Sequence, residues 1–299
     1  SWYTQTIHHM RIISTLQCAL HKFLGTDVRY LAAGSFWLTL QKIVAMGVAL
    51  ILSILYARYL SKETYGSYRY ILSFIGLFGI CAIPGMGTAA IRSMARGALG
   101  AFRATSSTTF LFSFGISIAC FSACVYFFYT GDKTLMMGFF IASLLVPFSE
   151  GLGSWRTYYT ATRLFHKGTF LSSAIQALYG VGMIGIVSIV AFFSFSAEAT
   201  AVLLVGTYLA AHAIPNIILT RRVEKSIPPN APRDVYLLPY GFRLSALEIP
   251  STIATYLDSV LLYAFLGPAA LAVYSFAVAP VEQIKSVFGT AATVSMPKL

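Results

Sequence analysis

The chain has 299 residues, of which 57% are hydrophobic and only 10% charged, with a mean hydropathy of +0.74. Soluble domains carry about 25% charged residues, so this composition excludes a soluble globular enzyme and indicates a membrane protein. The net charge of +11 suggests a nucleic-acid partner until its distribution is considered.

Residues 1–30 come first. Met10, Ile13, Leu16, Leu20, Phe23 and Leu24 recur at helical spacing among His, Arg and Lys. This is the pattern of an amphipathic helix on a membrane face; an unstructured tail is the other reading. Eight apolar runs follow, at 34–56, 65–91, 105–129, 135–154, 170–195, 199–219, 244–266 and 271–294. A bilayer core requires about 20 apolar residues per helix. The runs do not alternate and are too long for barrel strands. Their backbone groups must be satisfied within each span, which makes them helices. The expected fold is an all-α polytopic membrane protein with about eight transmembrane helices.

The basic residues orient it. With the N-terminus inside, fifteen of the 21 Lys and Arg fall on inner segments. Arg58, Lys62, Arg69 and Lys133 fall on outer ones, and Lys42 and Lys285 lie within spans. The positive-inside rule then places the N-terminus in the cytoplasm. Basic loops beside an anionic leaflet account for the charge with no nucleic acid.

The longest polar interruption is "RRVEKSIPPNAPRDVYLLPY", residues 221–240, with four prolines. Proline cannot continue a helix, so an extended cytoplasmic linker is expected there. It separates a six-helix lobe, 31–220, from a segment of two helices, 241–299.

Two corners of the chain resemble each other. "YARYLSKETYGSY" (56–68) and "YAFLGPAALAVY" (263–274) each join two apolar runs. Aligning Leu60 with Leu266 also aligns Tyr68 with Tyr274, an offset of 206 residues. Both corners follow a helix that starts inside, so the repeat is parallel, with its axis along the membrane normal. The second lobe then holds only its first two helices, and the chain reads as a fragment of a larger transporter.

Charges within spans are costly and mark function or pairing. Here they are Lys42, Glu150, Glu248, Asp258, Glu282 and Lys285. Lys42 either contacts an anionic substrate or snorkels to the headgroups. Asp258, near mid-depth, and Glu248 are candidates for proton or sodium coupling; a hydrogen bond to Ser, Thr or Tyr of a neighbouring helix is the structural alternative. Glu282 and Lys285, at i,i+3, pair first and line a cavity second. Arg92, Arg96 and Arg103 either attract a phosphate headgroup or set topology. In "IPGMGTAAIRSMARG" Pro84 is a hinge candidate and the glycines suit close helix packing. Tyr56, Tyr59, Tyr65, Tyr68 and Tyr70 read mainly as an interfacial belt. Cys18, Cys81, Cys120 and Cys124 read as apolar filler, and no cysteine or histidine has metal-ligand spacing. With no P-loop, GxSxG or HExxH, neither ATP hydrolysis nor a cofactor is expected.

Three stretches carry a family resemblance: "DVRYLAAGSFWLTLQKIV" (27–44), "ARYLSKETYGSYRYILSFIGLFGICAIPGMGTAAIRSMARG" (57–97) and "LDSVLLYAFLGPAALAVYSFAVAPVEQIKSV" (257–287). They resemble the polysaccharide-biosynthesis flippases of the Wzx type, from the superfamily that includes multidrug extruders and lipid II flippases. The resemblance implies two six-helix lobes around a central cavity and twelve or more helices. It implies a lipid-diphosphate-linked oligosaccharide as substrate, moved from the inner to the outer leaflet by alternating access in a bacterial inner membrane. Membrane lipids and glycan-assembly proteins are the implied partners. Lys42, Arg92, Arg96, Glu282 and Lys285 are then the candidates for substrate binding. A multidrug-type cation antiporter is a second reading. A membrane-embedded glycan polymerase or ligase is a third, which the short outer loops disfavour.

Overall fold

The computed structural model describes residues 28–193 and 195–288, with the backbone alone at 28–35, 38 and 282–288. The amphipathic pattern of residues 10–24 lies outside the described residues. The elements, in chain order, are α1 (Val28–Tyr59), α2 (Lys62–Phe78), a 3-10 turn (Gly79–Ala82), α3 (Met86–Ala95), α4 (Ala101–Thr130), α5 (Lys133–Glu150), α6 (Trp155–Ala161), α7 (Phe165–Phe193), α8 (Ala197–Ser226) and α9 (Leu237–Phe288). No strand occurs among the described residues. By length and composition six helices can cross a membrane, and the bent pair of α2 and α3 makes a seventh.

Local chemistry sets the corners. Ser61 caps α2 by accepting from the Thr64 amide (3.1 Å). Asp132 caps α5 by accepting from the Leu135 amide (3.0 Å). Such side-chain acceptors satisfy amides that have no partner in the first turn. Between α2 and α3 the chain turns by 49°. Ile83 takes a left-handed conformation there, followed by Pro84 and Gly85. The hinge candidate thus sits at a real break in the helix, and the cause is proline and backbone strain rather than general flexibility.

α9 is continuous only in name. Gly267 has φ 81° and ψ −179°, a region open essentially to glycine alone. Asp258 and Tyr274 hydrogen-bond across this point. Sixteen residues of straight helix would hold them about 24 Å apart, so the chain reverses at Gly267. Its two arms, 237–266 and 268–288, correspond to the last two apolar runs. The corner offset of 206 maps Ser61, between α1 and α2, onto Gly267. The two turns therefore fall at equivalent positions.

The first arm of α9 runs antiparallel along α2 and α3. Gly66 meets Pro268, Gly76 meets the Tyr256 ring, Gly85 meets Leu244 and Ser245, and Gly241 meets Met86. A Cβ at Gly66 would overlap the Pro268 carbonyl. Small residues at these points let the backbones approach closely. Elsewhere α4 packs on α5, α5 on α8, α8 on α7, and α7 on α1. One core gathers Ile71, Ile116, Phe139, Met183, Leu204 and Leu209. A second gathers Met86, Phe102, Trp155, Leu219 and Leu237 toward the linker. Ile118, Phe121 and Val125 of α4 and Val181 and Phe192 of α7 face outward, as suits helices solvated by lipid.

The linker is shorter than its sequence suggests. α8 continues through "RRVEKS" to Ser226 and α9 starts at Leu237, so the non-helical stretch is 227–236 rather than 221–240. Polar residues extend a helix beyond a bilayer at no cost in backbone bonding. Pro239 lies in the first turn of α9, where its missing amide is tolerated. The linker is also held down. Arg103 donates to the carbonyls of Glu224, Ile227, Pro228 and Pro229 at 2.7–3.3 Å, and the Gly100 amide donates to Pro232 (2.9 Å).

Candidate functional site

A cavity of about 310 Å³ opens where α1, α2, α7, α8 and both arms of α9 meet. Helical periodicity builds its wall. α1 presents Ala49, Leu52, Ser53 and Tyr56; α2 presents Tyr65, Tyr68, Arg69, Leu72 and Ser73. α7 adds Gln176 and Tyr179, α8 adds Tyr208, and α9 adds Tyr256, Ser275 and Ala279.

The wall is aromatic and hydroxyl-rich. Tyr56, Tyr65 and Tyr68 form a triangle with ring centroids 5.3–6.2 Å apart. Tyr65 stacks on Phe276 at 4.5 Å, and Tyr179 meets Tyr208 edge-on at 5.6 Å. His212 accompanies this pair, with its Nδ1 2.8 Å from the Tyr208 carbonyl. Offset and edge-on contacts of this kind are favoured between aromatic rings. The Tyr56 hydroxyl is buried. Arg69 is the charged residue of the lining and donates from Nε to the Ser275 hydroxyl at 3.4 Å. A guanidinium amid aromatic faces, hydroxyls and an amide can hold an anionic group by paired hydrogen bonds. It can also hold sugar rings by stacking.

Two sequence expectations are corrected here. Arg69, counted among the outer basic residues, lies inside α2 and lines the cavity. Tyr56, Tyr65, Tyr68 and Tyr70 are buried within the protein rather than in an exposed belt, whereas Tyr59 is exposed. The signal was present in the sequence: Tyr65, Tyr68, Arg69 and Leu72 share one helical face.

The other expected site residues are dispersed. Lys42 is half-buried on α1 and Glu248 half-buried on α9, and neither lines this cavity. Glu282 and Lys285 lie on α9, but their side chains, and hence their pairing, lie outside the described residues. Asp258 accepts from the Ser259 amide (2.6 Å), the Ser259 hydroxyl (3.3 Å) and the Tyr274 hydroxyl. Of these, only the bond from Tyr274 comes from a neighbouring arm, the kind the structural alternative names. At the helix break, Pro84 borders a cleft of about 220 Å³ with Glu150, Thr105, Thr109 and Ser154. Arg92 and Arg96 line a separate pocket near the linker. Cys81, Cys120 and Cys124 are free thiols, and no cluster of potential metal ligands occurs among the described residues.

Long apolar helices with outward-facing apolar side chains define a multi-pass membrane protein. Residues 31–299 match the family model described as "Polysaccharide biosynthesis protein". The chain belongs to that family. Comparison with curated proteins and with solved structures returns no match.

Proposed function

We propose that the protein translocates a lipid-diphosphate-linked oligosaccharide from the inner to the outer leaflet of a bacterial inner membrane, acting as a transporter rather than an enzyme. Its N-terminus is cytoplasmic, as the distribution of basic residues supports. The observation that carries this reading is the cavity where Arg69 stands among tyrosines between α2 and α9. A guanidinium suits a diphosphate, and aromatic faces with hydroxyls suit sugars. The antiparallel contact of α2 and α3 with α9 is the surface along which alternating access would open and close. The break at Pro84 is where α3 could swing.

Asp258 is the proposed coupling residue for protons or sodium, because it is a carboxylate in mid-span held by neutral groups. The test is a reconstituted flipping assay with a fluorescent polyprenyl-diphosphate glycan. Wild-type protein should expose the glycan to an external probe, and Arg69→Gln should not. Equal rates for the two proteins, or equal flipping by protein-free vesicles, would reject the reading.

A further inference from the structure

At the opposite end of α2–α3 from the tyrosines lies a second pocket, of about 570 Å³. Arg92, Ser93 and Arg96 enter it from the last turns of α3, Tyr240 and Arg243 from the first turns of α9, and Asp234 from the linker. Arg69 and Arg92 are 23 residues apart, at most about 35 Å of helix, and the two pockets share no lining residue, so this is a separate place.

The charges do not balance: three guanidinium groups face one carboxylate, Asp234. Asp234 is also engaged, since its Oδ1 accepts from the Tyr236 amide at 2.9 Å. Arg92 is held in place by Tyr240, with its guanidinium carbon 4.9 Å from the ring centroid. Two donors in the pocket are stranded. The Nε of Arg92 is buried with no hydrogen-bond partner among the described residues. Ser93 is only 2% exposed, and its hydroxyl likewise has no partner. A helical serine can bond a carbonyl one turn back, and buried donors are rarely left unmade. The C-terminal end of α3 and the N-terminal end of α9 carry opposite partial charges, so the arginines decide the sign of the potential.

We propose that this pocket binds an anionic phosphate group, and that its occupant braces the end of α3 against the start of α9 across the linker. Fork-shaped guanidinium donors match phosphate oxygens, and the Ser93 hydroxyl and Arg92 Nε supply the remaining bonds. Basic pockets between transmembrane helices at a membrane surface take lipid headgroups. The phosphate has three possible sources: an anionic phospholipid of the surrounding leaflet, free phosphate, or the diphosphate of the cargo. The site does not depend on the transport reading given above.

The test is thermal unfolding of the delipidated chain in nonionic detergent, titrated separately with phosphatidylglycerol, phosphatidylcholine, inorganic phosphate and a polyprenyl diphosphate. Phosphatidylglycerol should raise the melting temperature saturably and phosphatidylcholine should not. Arg92→Gln with Arg243→Gln should weaken the half-saturating concentration by about tenfold or more, Ser93→Ala by severalfold, and Arg58→Gln, at the far end of α1, not at all. If the double variant does not fold, Arg92→Lys keeps the charge without the fork and should weaken binding in the same direction. Tightest saturation by phosphatidylglycerol assigns the source to resident lipid, by inorganic phosphate to a soluble ligand, and by the diphosphate to the cargo. Equal shifts with phosphatidylcholine, no shift with any anion, or shifts that the pocket variants leave intact would overturn the proposal.

Discussion

Arg69 and Ser275 stand 206 residues apart in the chain and share a hydrogen bond. That separation equals the offset between the two corners, Leu60 to Leu266. The bond ties α2 to the second arm of α9 within the lining of the tyrosine-walled cavity.

Arg69→Gln should accordingly lower transport about tenfold or more, since a hydrogen bond to a charged group is worth about 1.5–3 kcal/mol. Ser275→Ala, which removes only the neutral partner, should cost less. Flipping rates normalised to the protein in the vesicles separate the two effects. Unaltered transport by the Arg69 variant would take the arginine out of the binding site.

Gly85 tests the contact between α3 and α9. Its amide donates to the Ser245 hydroxyl at 3.0 Å, and an alanine Cβ would meet the backbone of Leu244 and Ser245. Side-chain rotation cannot relieve that overlap, so Gly85→Ala should destabilise by about 1–3 kcal/mol. Gly47 in α1 has open space around it. Gly47→Ala should be neutral or stabilising by up to about 1 kcal/mol, because alanine is the better helix former. Melting temperatures of the purified variants check this opposition of signs.

Asn216 ties three elements together. It accepts from the Trp155 indole at 2.8 Å and donates to the Ser149 carbonyl at 2.7 Å, and both Asn216 and Trp155 are wholly buried. Asn216→Leu would strand a donor and an acceptor, at about 1–3 kcal/mol each. The expected result is poor accumulation in the membrane and early unfolding. Wild-type stability would show that the network is dispensable.

Asp258 separates coupling from architecture. Asp258→Asn keeps the shape and an acceptor, so it should leave melting nearly unchanged while abolishing the dependence of transport on pH or sodium. Tyr274→Phe removes the hydroxyl alone and should lower stability by about 1 kcal/mol with the ion dependence intact. An Asn variant that retains the full ion response would confine Asp258 to a structural role.

Arg103 should matter to the linker and not to the cavity. Arg103→Ala frees the carbonyls of Glu224, Ile227, Pro228 and Pro229. Limited proteolysis should then cut within 227–236 several times faster, with glycan binding unchanged. Equal cleavage rates would mean that the bond from Gly100 to Pro232 holds the segment unaided.

Much of this architecture is legible in the sequence, because the hydrophobic runs are long and the bilayer leaves few choices of backbone. The helical class, the break at Pro84 and the corner at Gly267 all follow from residue types with narrow backbone preferences. The cavity is harder to see. Its wall draws on α1, α2, α7, α8 and α9, and no local pattern states which faces converge. Arg69 was obscured because charge near a predicted corner reads as exposed, although its spacing from Tyr65 and Tyr68 puts it on the buried face. The linker was overestimated because polarity does not distinguish a helix leaving the bilayer from an extended chain. Lys42 and Glu248 are half-buried and lie outside the lining of this cavity.

The turn at Gly267 also bears on how the chain is made. The Asp258 carboxylate gains the Tyr274 hydroxyl, its donor from outside its own arm, only after the second arm has been synthesised and has folded back. A lone helix carrying that carboxylate would enter the bilayer with an insertion penalty of about 2.5–3.5 kcal/mol. The hairpin is thus the smallest piece of this segment in which the charge is satisfied. Biogenesis would favour delivering the two arms to the lipid together, as a single insertion unit.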